Sequence, residues 1–131
     1  MRIFLDENLS EYVADALNSL NIGYFDDIPV VSTKTAIGLH EPDEKIIPTI
    51  GKEHSTLITR DFEIRRTRAQ YELCKHHKVG IIFIRLPNQH QRHWELVRAL
   101  IINWENVISV CRSDKLPFSY RLTEKKGLIK M

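Results

Sequence analysis

The run Val79-Gly80-Ile81-Ile82-Phe83-Ile84-Arg85-Leu86 constrains this chain more than any other segment. It is apolar at successive positions rather than alternate ones, so as a strand it needs apolar cover on both faces, the situation of a parallel sheet with helices on each side. The neighbouring sequence supplies such layers. Ile3-Phe4-Leu5 reads as a buried first strand, and Thr56-Leu57-Ile58-Thr59 as another strand. Ser10 can cap a helix with the stripe Val13, Ala16, Leu17 and Leu20, ending near Asn21 and Gly23. Strand alternating with helix gives an α/β fold: a central, mostly parallel sheet flanked by helices. No Pro/Gly/Ser-rich linker or internal repeat divides the chain, so residues 1–131 read as a single domain.

The remaining elements follow from the same periodicities. Ile28 to Val31 is a short second strand, Thr33 to His40 a loop, and Pro42 to about Lys52 a helix kinked by Pro48. A charged helix spans Glu63 to His77. The segment from Gln91 to Asn103 is nearly apolar all round, which predicts a helix buried on more than one side, in the core or between the sheet and a second subunit. Val107 to Cys111 reads as a strand. Phe118, Tyr120 and Leu122 alternate with Ser119, Arg121 and Thr123 ahead of Lys125-Lys126-Gly127, the pattern of a C-terminal edge hairpin.

Net charge is only +2, but its distribution is uneven. Residues 1–53 carry 4 Lys/Arg against 10 Asp/Glu, and residues 54–131 carry 15 against 7. An acidic half facing a basic half suits a metal-plus-phosphate site, although a folded charge mosaic would show the same asymmetry. Cys74 and Cys111 match no zinc spacing and sit among apolar residues, so they read as free, buried thiols in a reducing, cytoplasmic setting. The chain contains no signal-peptide pattern and no apolar run of spanning length, so no membrane role is expected.

Open parallel sheets bind ligands outside the carboxyl ends of their strands, which makes acids placed just after strands the leading site residues. Asp6 follows Ile3-Phe4-Leu5, and Asp61 follows Leu57-Ile58-Thr59-Arg60. Asp43, in the first turn of the helix feeding the Asp61 strand, belongs to the same edge. Three converging carboxylates repel one another unless a cation joins them, and Mg²⁺ or Mn²⁺ suits such hard oxygen donors. Phosphodiester hydrolysis follows from that chemistry. Arg60, Arg65, Arg66 and Arg68 would position a polyanion such as RNA. Three of them lie near a helix N-terminus, where cations are unfavourable, so a ligand or carboxylate partner is expected there.

Each residue also has a plainer reading. Asp43 and Glu44 beside Pro42 are ordinary helix-start residues, and Asp61 could cap the next helix. Lys75, His76, His77 and Lys78 suit the dipole at a helix C-terminus. Asp26-Asp27 reads as a solvated turn. His90 and His93 could share a metal at i,i+3, but without a third ligand in register they read as exposed residues at a helix start.

Asp6-Glu7-Asn8-Leu9, Asp43-Glu44-Lys45-Ile46 and Leu57-Ile58-Thr59-Arg60-Asp61-Phe62 together resemble the signature blocks of PIN-domain ribonucleases, over roughly residues 1–86. The similarity looks closest to the short bacterial PIN-like branch related to toxins of the virulence-associated C type. That resemblance implies a Rossmann-like PIN fold, a Mg²⁺ or Mn²⁺ site, endoribonuclease activity, homodimers and a small antitoxin partner. It assigns Asp6, Asp43 and Asp61 as metal-binding catalytic acids, supported by Asn8, Thr59 and Glu44. The chain departs from larger PIN domains in three ways. Gly23 to His40 is too short for the helix that carries a further Glu, leaving Glu41 as a stand-in. Phe62 follows Asp61 directly, and Pro48 interrupts a helix. The leading expectation is therefore a metal-dependent endoribonuclease, the toxin of a toxin–antitoxin pair. The alternatives are a non-catalytic RNA-binding or regulatory PIN-like module and a phosphoacceptor receiver-like domain.

Overall fold

A computed structural model describes residues 1–61 and 63–131. Phe62, the last residue of the third signature block, lies outside the described residues. In chain order the elements are β1 (Ile3–Leu5), α1 (Glu11–Asn21), β2 (Val30–Ser32), α2 (Thr33–Ala36), α3 (Asp43–Lys52), β3 (Thr56–Arg60), α4 (Ile64–His77), β4 (Gly80–Arg85), α5 (His93–Ile102), α6 (Trp104–Ser113), β5 (Ser119–Thr123) and β6 (Gly127–Lys130). The strands form one six-stranded sheet in the order β2-β1-β3-β4-β5-β6. All neighbours are parallel except β5 and β6, which form the antiparallel edge hairpin expected from the alternating tail.

Successive residues of the central strands enter two different cores, which is why β1 and most of β4 are continuously apolar and why Leu57 and Ile58 of β3 stand side by side. Ile3, Leu5, Ile58, Ile82 and Ile84 pack with Val13 and Leu17 of α1, Leu96 and Leu100 of α5, and Val107 and Ile108 of α6. Phe4, Leu57, Ile81 and Phe83 pack on the other face with Ile46, Ile47 and Ile50 of α3 and Cys74 of α4. Helices thus cover both faces, and the carboxyl ends of β1 and β3 fall on one edge. Asp6 N–H donates to the Ile58 carbonyl at 3.0 Å, and Asp61 N–H donates to the Ile84 carbonyl at 2.9 Å.

Two glycines set the spacing of the layers. A Cβ on Gly51 would lie 2.6 Å from the His77 carbonyl oxygen, so its absence lets α3 lie close against the end of α4. A Cβ on Gly80 would lie 2.4 Å from the ring of Phe118, which fills that space instead.

Several expectations are corrected. Val107–Cys111 is helical, part of α6: Trp104, Val107, Ile108 and Cys111 are its buried residues, at helical rather than strand spacing. The sheet position beside β4 is taken by β5. The apolar helix α5 buries Leu96 and Leu100 only on one face, leaving Trp94 70% and Ile102 73% exposed. The loop from Thr33 contains the short helix α2, and β2 begins at Val30 rather than Ile28. The α3 helix has the expected extent, following Pro42 and running to Lys52 with Pro48 inside it. Ser10 caps α1 as expected, accepting from Tyr12 N–H at 3.2 Å. Asp26 accepts from Gly23 N–H, and exposed Asp27 pairs with Arg112, whose hydrogen bond holds the Asp27 carboxyl below its usual pKa. Among the described residues, no helix is long and apolar enough to cross a membrane.

Candidate functional site

Asp6 leaves the end of β1 only 2% exposed, so its charge requires built-in partners. One carboxylate oxygen accepts the Glu7 N–H at 2.8 Å. The other accepts the Thr59 hydroxyl at 2.7 Å and Nη2 of Arg66 at 3.0 Å. Thr59, itself fully buried on β3, holds the Asp6 carboxylate through this hydrogen bond.

Asp43 approaches from the first turn of α3, where a negative charge also suits the helix dipole. Its carboxylate accepts Nε of Arg66 at 3.3 Å and Nη2 at 3.4 Å. A single guanidinium on α4 thus joins two acids from different elements. Burial works against the Arg66 charge, but hydrogen bonds and attraction from Asp43 and Asp6 outweigh it and hold the guanidinium above its ordinary pKa. Of the two partners open to this N-terminal arginine, a ligand or a carboxylate, the structure shows carboxylates, Asp6 and Asp43. Arg65 and Arg68 are exposed on the same helix.

Asp61, at the end of β3 and 5% exposed, has a different set of partners. One oxygen accepts the Thr67 hydroxyl at 3.0 Å, and the other accepts Arg85 Nη1 at 3.2 Å and Arg121 Nε at 3.1 Å. The α4 helix begins after Glu63 without a side-chain cap, so Asp61 braces its first turns through Thr67 rather than capping it. The structure therefore brings Asp6 and Asp43 to one cation and gives Asp61 two cations of its own. Among the described residues, no three His, Cys, Asp or Glu side chains are gathered into one potential metal-binding group.

The supporting residues divide as well. Arg60 is half-buried and donates to Gln91 Oε1 at 3.2 Å. Asn8 has both side-chain amide atoms buried and makes no hydrogen bond to Asp6. Glu44 is exposed on α3, whereas Glu41 pairs with Lys45 at 3.0 Å. His90 pairs with Glu124, and His93 opens α5. Arg85, Arg121 and Thr67, the residues that hold Asp61, were not among the expected site residues. Their available signal was a cation at the end of an otherwise apolar strand and another in an alternating strand, each needing a partner once that strand lay beside β3 or β4.

The chemistry available at this edge is that of hard oxygen donors surrounded by guanidinium groups. Asp6 and Asp43 are the pair of hard oxygen donors close enough to share a divalent cation, since one guanidinium spans both; that cation would have to displace Arg66. No curated protein and no solved structure matches the chain. The family model described as a PIN like domain matches residues 1–86. Its span includes Asp6, Asp43, Thr59, Asp61 and Arg66, and the mixed α/β fold with a mostly parallel sheet agrees with it. PIN-like domains have a nuclease-type fold, and on this match the chain belongs to the PIN-like domain family.

Proposed function

We propose that the protein is a Mg²⁺- or Mn²⁺-dependent endoribonuclease that hydrolyses RNA phosphodiester bonds, serving as the toxin of a toxin–antitoxin pair. The observation that carries this reading is the convergence of Asp6 and Asp43 on the guanidinium of Arg66 at the carboxyl edge of the sheet. Two carboxylates are hard oxygen donors of the kind a divalent cation takes, and such a cation would displace the Arg66 guanidinium that now joins them. A cation bound there would activate water for in-line attack and stabilise the leaving oxygen.

The chain's own groups prepare that position. Thr59 and the Glu7 N–H hold the Asp6 carboxylate in one orientation, which limits reorganisation when a ligand arrives. Arg66 neutralises the acid pair while RNA is absent, and a phosphodiester offers its guanidinium another anionic partner. Exposed Arg65 and Arg68 extend the basic surface along α4. Asp61 belongs to this reading as the acid that anchors Arg85 and Arg121 at the same edge. For an antitoxin or a second copy, support comes from the groove between α1 and α5, lined by Tyr12, Leu20, Trp94 and Ile101.

Cleavage of labelled RNA with Mg²⁺, Mn²⁺ or EDTA tests the reading. Metal-supported cleavage that disappears in Asp6→Asn and Asp43→Asn, with a folded chain retained by circular dichroism, is the expected result. A non-catalytic RNA-binding module is the second reading. It is favoured by the neutralisation of Asp6, Asp43 and Asp61 by Arg66, Arg85 and Arg121 within the chain. Such a module would shift RNA mobility equally in EDTA and would cleave nothing under any metal condition.

A further inference from the structure

A cleft of about 800 Å³ opens between the ends of β3, β4 and β5 and the β5–β6 turn. Arg85, Arg121, Lys125 and Lys126 line it, together with the acids Asp61 and Glu124. The acids do not balance the cations. Asp61 accepts both arginines on one oxygen, and Glu124 is engaged by His90. Lys125 and Lys126 stand exposed at the turn.

Register explains why the arginines gather. Phe83 pairs with Arg121 and Arg85 pairs with Thr123 across adjacent parallel strands, so Arg85 and Arg121 project from the same face, two positions apart. Side-by-side guanidinium groups repel, and one buried carboxylate offsets only one of the two charges. Asp61 engages Nη1 of Arg85 and Nε of Arg121, and among the described residues their other N–H groups remain available for an anion that accepts from both. Leu86, Pro87 and Ile129 give the same cleft an apolar wall. Charged donors beside an apolar wall suit a nucleotide strand, with phosphates on one side and a base against the other. The volume is within the roughly 300–1,000 Å³ of small-ligand clefts, which favours a short single-stranded stretch over a duplex.

We propose that this cleft is the RNA backbone subsite, with Arg85 and Arg121 clamping one phosphate and Lys125 and Lys126 meeting the adjoining ones. The inference rests on the endoribonuclease reading for the identity of its ligand. Apart from Arg85, its cations lie beyond residue 86, outside the segment that the family match covers. The hairpin is thus a substrate-holding addition rather than a simple closure of the sheet.

The test uses fluorescence anisotropy of a labelled single-stranded RNA oligonucleotide in EDTA, across a salt series, with the full chain. Lys125→Glu/Lys126→Glu is the informative variant, because both side chains are exposed and an unchanged melting temperature verifies its fold. Binding at least about tenfold weaker, with a salt slope reduced by about 0.7 per lost phosphate contact, is expected. An unchanged affinity and slope in this variant, with loss of binding in Arg65→Glu/Arg68→Glu, would overturn the cleft and move the strand to α4. Cleavage of the same RNA in Mn²⁺ is scored separately, so the two readings fail differently. Lysine-dependent binding without cleavage leaves the cleft standing and removes the nuclease. Cleavage with lysine-independent binding does the reverse, and an RNA that the wild-type chain does not bind at low salt removes both.

Discussion

Arg66 Nη2 lies 3.0 Å from Oδ2 of Asp6, joining residues 60 positions apart in the chain. Because the same guanidinium also reaches Asp43, it fixes α3, α4 and the end of β1 relative to one another. The contact makes the acid pair tolerable before any ligand binds. It also means that a cation and Arg66 compete for the same oxygens.

Replacing Arg66 by Gln is expected to separate these roles. Buried Asp6 keeps Thr59 but loses its positive partner and faces Asp43, so stability at neutral pH should fall by about 1–3 kcal/mol. That is less than for a fully buried pair, because Arg66 retains some solvent. Mn²⁺ should then raise the melting temperature of the variant more than that of the wild type, since two carboxylates are left without a guanidinium. Thermal melts with and without Mn²⁺ measure both effects. An equal response of the two proteins would show that Arg66 does not compete with the metal.

At Asp61, the Asn substitution should weaken the hold on Arg85 and Arg121 while preserving an oxygen that can accept from Thr67. Under the endoribonuclease reading, the variant should lose RNA cleavage, and its fold should persist by circular dichroism. Retained wild-type turnover would take Asp61 out of the catalytic edge.

Gly80→Val tests the packing that seats β5 beside β4. The new side chain would enter the space of the Phe118 ring, so a loss of about 1–3 kcal/mol is expected from overpacking. Urea denaturation measures it, and Gly80→Val/Phe118→Ala should recover part of the loss if the two side chains compete for one volume.

Both cysteines should resist thiol reagents while the protein is folded. Burial pushes the Cys111 thiol up to about 11 and raises Cys74 further, so little thiolate exists at pH 8. Labelling by an aromatic disulfide reagent should be slow in buffer and prompt in urea. Prompt labelling of the native chain would contradict this burial.

His90 should report on the hairpin through its own titration. Its hydrogen bond to Glu124 raises its pKa above 6.5, despite the opposing effect of desolvation. The pair's contribution is therefore complete below 6.5 and is lost as pH rises through the raised value. An NMR titration should give a lower His90 pKa in Glu124→Gln than in the wild type. Identical curves would show that the pair does not persist in solution.

Local pattern made much of the architecture legible. Short apolar runs marked β1 and β4, because a strand covered on both faces has no polar side to display, and Leu57-Ile58 between two threonines marked β3. The alternating tail marked β5 and β6, because the edge hairpin is only partly covered. Failure came where a short apolar segment fits either period: Val107–Cys111 belongs to a helix once Trp104 is included in the stripe. The exposed face of α5 was equally hidden, since apolar composition requires no particular partner.

The sequence by itself determined where the acids stand: Asp6 and Asp61 directly after strands and Asp43 at a helix start, positions that a parallel α/β order assigns to one edge. Only the tertiary structure decided their partners. Arg66 takes Asp6 and Asp43, whereas Arg85 and Arg121 take Asp61, from strands that meet solely through sheet register. The physical reason is that periodicity is a local property of the chain. Neutralising a buried charge depends instead on distances of a few ångströms between residues far apart in sequence.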